Sequence, residues 1–344
     1  MGNAVSPLWQ DSNDRGKIQI CPRCEEIDFV TIFHPQRSPP NHGRFLLALD
    51  TPQHDADCSV CRLLGALVLD VHLQESDGYH LRIFSAAKLF VGSERAKRKD
   101  PAVALIVIPG NWKGELPENM REQCFDSSFA LIKSIDGRRY RAAEPRTAVK
   151  GTSVTFDRVN YQQIKSCLKE CRNLHRRGKC YYNEDRQRQP SIPLKCIDCN
   201  SRAIVEIEEK DEYLALSYVW GGTAAPAMTK EGLVPEPTSQ VIEDAMKIVR
   251  GLGKRYLWVD QYSVDQKNHD IKDVQIGEMD LIYANALVTI VAAAGSDATY
   301  GLPGVSRARL HKQVSINVKD LEICSTLPSL PFAIKDSVWL RRGW

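Results

Sequence analysis

The sequence predicts an α/β fold in which an open parallel sheet flanked by helices is preceded by a Cys-rich domain of mixed α/β or β-rich character. Three observations carry that expectation. The runs Tyr213–Gly222 (YLALSYVWGG) and Tyr256–Gln266 (YLWVDQYSVDQ) are apolar, rich in aromatic and branched residues, and end abruptly, the pattern of strands buried on both faces. Between them, Thr238–Leu252 sets Val241, Ala245, Ile248, Val249 and Leu252 at helical spacing. Two C-x-x-C pairs stand well upstream of this unit.

The elements follow in chain order. The opening MGNAVS matches the myristoylation pattern of Gly2 with Ser6, a match weakened by Pro7. One myristoyl chain would give only marginal, reversible membrane binding. Cys21 with Cys24, and Cys58 with Cys61, form the two C-x-x-C knuckles, which together offer the four sulfurs of a tetrahedral structural zinc site. The alternative is that four small sulfur side chains simply pack in a core. Tyr79–Val91, Val103–Pro109 and Ser128–Ser134 read as short strands between polar loops, and Ala142–Gly151 is the candidate linker. The expected division is therefore a Cys-rich region over 1–150 and a second domain over 151–344.

Within the second domain, Cys167, Cys171 and His175 fall at i, i+4 and i+8 and share one helical face, expected to be a core face because the run Asn160–Leu174 also sets Ile164, Leu168 and Leu174 on or near it. Cys171, His175, Cys180 and one of Cys196 or Cys199 form a weaker candidate metal set, and a redox role for Cys196 with Cys199 lacks a thioredoxin-like context. The Thr238–Leu252 helix has Thr238 or Ser239 as N-cap and Gly253 just past its end. A second helix is expected over Asp273–Ala286, with Ile276, Met279, Ile282, Tyr283 and Ala286 inward, leading into a third strand at Leu287–Ala294.

In open α/β sheets ligands sit beyond the carboxyl ends of the strands, which brings Trp220, Gly221, Gly222, Asp260, Asp265 and the loop Gly295–Gly304 toward one rim. Asp260 and Asp265 are the candidate catalytic acids, able to bind a ribose hydroxyl or take a proton. The competing reading of Asp260 is a loop cap bonded to nearby amides. Trp220 with Gly221 and Gly222 is the candidate cofactor-binding element, an aromatic wall with close backbone approach; otherwise the indole seals the sheet end. The glycines lack G-x-G-x-x-G spacing, which disfavours a Rossmann hydride-transfer enzyme.

YLALSYVWG, LGKRYLWVDQYSVDQ and QIGEMDLIYANALVTIVAAAGSDATYGLPGV, in this order and spacing, resemble the core of the fungal heterokaryon-incompatibility (HET) domain. The resemblance runs from Tyr161 to Trp344. It implies a TIR-like fold and a fungal, cytoplasmic allorecognition effector that triggers programmed cell death. It further implies partners among other incompatibility or signalling proteins, homo-oligomers, and either hydrolysis of NAD or a related nucleotide or a non-enzymatic action by assembly. Three positions depart from the family pattern. Ser263 stands where a Cys is common, Ile271 precedes Lys272 where a Glu is common, and the chain stops at Arg341–Trp344, before the usual continuation, so a C-terminally truncated domain is expected.

Composition narrows the remaining classes. The 344 residues are 43% hydrophobic and 26% charged, an ordinary globular balance for more than one domain. A net charge of +3 is too small to argue for nucleic acid, and the basic clusters at Arg95–Lys99 and Arg138–Arg141 lack interleaved aromatics. No apolar run approaches the roughly 20 residues of a transmembrane helix, and no signal peptide opens the chain. Eleven cysteines in a reducing compartment are expected as thiols or metal ligands.

Overall fold

Alternating apolar residues and short turns place the chain in two sheets. The computed structural model describes residues 19–29, 44–50, 55–67, 78–85, 103–110, 130–134, 158–174, 189–222, 227–309, 315–318, 321–325, 334 and 336–341. The chain divides into two compact units, one of residues 1–153 with 313–329 and one of 154–312 with 330–344. The expected linker, Gly2, His175, Cys180 and both basic clusters lie outside the described residues.

The first unit contains a short helix α1 (Pro22–Glu25), strand β1 (Arg44–Leu49), helix α2 (Ser59–Ala66), and strands β2 (Tyr79–Ser85), β3 (Val103–Pro109) and β4 (Ala130–Ser134). Its core holds Leu63, Leu64, Leu81, Ile83 and Leu105 beside Cys21, Cys24, Cys58 and Cys61. The three strands expected from the sequence are present, with Val103–Pro109 at the expected bounds.

The second unit opens with helix α3 (Tyr161–Leu174) and two short strands absent from the sequence expectation, β5 (Lys195–Asp198) and β6 (Ile204–Glu206). Strand β7 (Tyr213–Ser217), helix α4 (Gln240–Gly251) and strand β8 (Tyr256–Val259) form the strand-helix-strand unit. A single turn α5 (Asp260–Ser263), helices α6 (His269–Gly277) and α7 (Met279–Asn285), and strand β9 (Val288–Val291) follow. The sheet order is β6-β5-β8-β7-β9. β7 runs parallel to both β8 and β9, as the apolar runs predict, but β5 pairs antiparallel with β8 and with β6. The sheet is therefore mixed, because the β5–β6 hairpin adds an antiparallel edge to a three-stranded parallel core.

Both faces of that core are covered. Leu214 and Leu216 of β7, with Leu257 and Val259 of β8, face a cluster that includes Val241, Ala245, Met246 and Val249 of α4. Tyr213, Ala215 and Trp258 point the other way, onto Met279 and Ile282 of α7. The period-2 alternation thus separates two layers of helix. Strand β9 lies at an edge and is only partly covered, with Val291 exposed.

Two expectations about helices need correction. The single helix over Asp273–Ala286 is two helices, broken at Glu278, whose carboxylate accepts from Ser191 N and Oγ at 2.8 Å each. The break takes Ile276 out of the inward face and leaves it exposed. Cys167 is exposed too, so the Cys167/Cys171 face of α3 is not a core face. Strands β10 (Ser315–Val318) and β11 (Leu321–Ser325) extend the first sheet, whose order is β1-β2-β3-β4-β11-β10 with antiparallel pairing throughout.

Candidate functional site

Parallel pairing of β7 with β8, in the register Leu216↔Val259, ends both strands at one level. The residues that follow meet there. The Trp220 indole N–H donates to both carboxylate oxygens of Asp260, at 3.0 and 3.1 Å. Asp260 Oδ1 also accepts from Gln261 N at 2.8 Å, and the Gln261 side chain accepts from the Tyr218 hydroxyl at 2.8 Å. Asp260 is only 7% exposed whereas Trp220 is 40% exposed, so a buried acid fixes a solvent-facing ring.

Gly221 closes the contact with the loop after β9. Its φ is +79°, and a Cβ there would lie 2.5 Å from Asp297 Cβ, so only glycine fits without displacing that loop. Gly222 has open space around it. Asp297 caps its own turn by accepting from Thr299 Oγ1 at 2.6 Å, Thr299 N at 2.8 Å and Ser296 Oγ at 3.0 Å. These bonds, the Thr299 hydroxyl foremost, hold its carboxyl below the usual range.

Asp265 is used differently from Asp260. It accepts from Asn268 N at 3.0 Å and Lys267 N at 2.9 Å, and these two amides lower its pKa. Its own N–H donates to Gln275 Oε1 at 2.8 Å. The turn leads into Asn268, which caps α6 by accepting from Ile271 N. Thus Trp220, Gly221 and Asp260 come together, and Asp265 shapes the neighbouring turn.

Other side chains at this end were not legible as site residues. Ser217, the last residue of β7, accepts from Trp339 Nε1 at 3.0 Å, which lays the 3-10 helix Val338–Arg341 beside the strand ends. Ser337 Oγ donates to Ala293 O. Asp244, fully buried on α4, accepts from Leu302 N at 2.8 Å, Gln240 Nε2 at 2.9 Å and Ser306 Oγ, which ties the 300–306 loop to the helix. A signal for Asp244 existed: it lies three residues after Val241 on the apolar face, where an acid requires partners. Ser263 accepts from Val259 N at 3.1 Å and is buried.

In the first unit the four predicted metal residues converge. Cys21, Cys24, Cys58 and Cys61 are all buried, and their sulfurs lie within 4.8 Å of one another. Such a group can hold a metal ion such as zinc. Burial, reinforced by the neighbouring sulfurs, pushes the Cys24 thiol far up, and burial raises Cys61 to about 11. At Cys58 burial acts in the same upward direction, but backbone N–H groups of Cys21 and Cys61 bring its pKa below the ordinary thiol value. Of the second candidate set, His175 and Cys180 lie outside the described residues. Cys196 and Cys199 lie on opposite faces of the sheet, in different core clusters, with burial raising both thiols.

The fold and rim define an α/β protein whose parallel strand ends carry an indole fixed by a buried carboxylate. The family model described as Heterokaryon incompatibility protein (HET) matches residues 213–344, from the first residue of β7 onward. The chain carries a HET domain over those residues. No curated protein and no solved structure matches the chain.

Proposed function

We propose that this chain is a fungal heterokaryon-incompatibility effector, acting in the cytoplasm, whose HET domain works by recognition at the carboxyl rim of its parallel strands. The observation that carries this reading is the half-exposed Trp220 indole held by Asp260. A ring already fixed in a single orientation loses little conformational freedom when a partner covers it, and tryptophan is a favoured anchor at interfaces. The hydroxyls closest in sequence to the rim are engaged: Ser217 accepts from Trp339, and Ser263 accepts from Val259 N. Asp260 spends both oxygens on N–H donors. This arrangement favours a signalling module that assembles with other incompatibility proteins or with a second copy of itself, ahead of an acid-base-nucleophile set.

A second reading rests on the same pair. An aromatic face beside a carboxylate at strand ends also suits a nucleotide, the ring stacking on the base and the acid receiving a ribose hydroxyl. In that reading the domain is a TIR-like hydrolase of NAD or a related nucleotide.

Induced expression in a filamentous fungus separates them, with viability and intracellular NAD followed together. Trp220→Ala is expected to abolish killing at unchanged protein level. Asp260→Asn keeps an oxygen acceptor for the indole N–H, so recognition predicts retained killing with steady NAD. A fall in NAD before death, lost in Asp260→Asn, would replace recognition by hydrolysis. Full killing by Trp220→Ala would remove the rim as the site.

A further inference from the structure

The geometry points to a closed tetrathiolate zinc centre in the first unit, formed by Cys21, Cys24, Cys58 and Cys61 and serving as a structural clasp. With Zn–S bonds of about 2.3 Å, a tetrahedral site sets its sulfurs about 3.8 Å apart. Cys21 Sγ and Cys61 Sγ lie 3.8 Å apart, and Cys24 Sγ and Cys61 Sγ lie 3.6 Å apart. These separations are far above the roughly 2.05 Å of a disulfide. All four residues are free cysteines.

The backbone around the sulfurs is also arranged for thiolates. Cys58 Sγ accepts from Cys21 N and Cys61 N, both at 3.4 Å. In each knuckle the chain turns tightly after the first cysteine: Cys24 N and Glu25 N return to Cys21 O, and Arg62 N returns to Cys58 O. Each turn therefore presents its two sulfurs to the same point. A core of four protonated thiols needs neither tetrahedral separations nor two amides aimed at one sulfur. Buried thiolates without a cation would be costly, and a divalent ion offsets that cost.

The ligand set dictates the role. Four protein sulfurs fill the coordination shell and leave no position for water or substrate, which is the mark of a structural site. Exposure of the four side chains ranges only from 0 to 8%, so a substrate has no route to the ion. Zinc binding displaces the protons carried by the thiols and joins residues 21–24 to the start of α2. Ile27 and Phe29 continue from the first knuckle into the same core as Leu63 and Leu64. The clasp thus holds the N-terminal segment on the first sheet.

The test uses the full chain, purified without metal-affinity resin from zinc-supplemented cells. Elemental analysis is expected to give one zinc per chain. Replacement by cobalt is expected to give the visible bands of a tetrahedral ion with four-thiolate charge-transfer intensity. Paired Cys24→Ser and Cys61→Ser should lose the zinc, whereas Cys167→Ser, at an exposed position, should keep it. If the paired variant does not fold, the cobalt spectrum of the unaltered chain decides the ligand set. A folded chain with less than a tenth of an equivalent of zinc, iron as the bound metal, or a cobalt spectrum lacking four-sulfur intensity would each overturn the assignment.

Discussion

At Asp244 one carboxylate with no solvent exposure gathers a backbone amide, a hydroxyl and a side-chain amide from two parts of the chain. Asp244→Ala leaves Leu302 N and Ser306 Oγ without that acceptor, and is expected to destabilise the second unit by about 2–4 kcal/mol, read from urea denaturation. The loop that carries Asp297 should loosen with it. Residues differ in how far the sequence revealed them. Trp220 and Asp260 were legible because each directly follows a strongly patterned strand and parallel strands share a carboxyl end. The Trp339–Ser217 bond was not, because its partners are 122 residues apart and nothing local to either announces the other. The pattern of C-x-x-C pairs brought out the four N-terminal cysteines, whereas the equal-looking Cys196–Cys199 pair is split across a sheet by strand alternation.

Among the elements, β7, α4, β8 and β9 were readable because buried alternation and helical spacing are strong over their lengths. Strands β5 and β6 have only four and three residues, too few for a pattern, and owe their place to pairing. The hairpin they form is held by ions. Arg202, with φ +64°, makes a two-pronged pair with Glu243 and donates to Val234 O, while Arg255 donates to Asp198 at 2.6 and 3.0 Å. Burial opposes ionisation of Asp198 and Glu243, yet their arginine and amide donors outweigh it and lower both pKa values. Glu212 is lowered chiefly by Lys254, but is more exposed and screened by solvent. A carboxyl with a depressed folded-state pKa contributes its stability above the unfolded value and loses it as pH falls through the folded one. The urea midpoint of the second unit is therefore expected to drop as pH falls below about 5. Glu243→Gln should lower the midpoint at neutral pH and make this acid dependence shallower.

For the whole molecule, the two-unit organisation depends on a late segment. Residues 313–329 belong to the first unit, and their Ile316 and Ile323 are buried in its core. The sequence did not signal this return, because β10 and β11 resemble any short hairpin and the partner strand β4 lies far upstream. A fragment ending at residue 153 is expected to be insoluble or to lack cooperative unfolding. The same fragment with residues 313–329 joined through a flexible linker should recover both, as read by circular dichroism and solubility. Equal stability of the two fragments would show that β10 and β11 are dispensable. Helices among the described residues are all too short or too polar to cross a membrane.

That late hairpin also sets an order of events during synthesis. As the chain leaves the ribosome, the β7–β8–β9 core is complete once residue 291 has emerged. The first sheet, although begun more than 200 residues earlier, still lacks β11, which closes the open side of β4. An unpaired strand edge is a template for pairing with another chain. The nascent protein therefore carries an incomplete first sheet until β11 has emerged, although the four cysteines that cluster beside that sheet have all left the ribosome soon after residue 61.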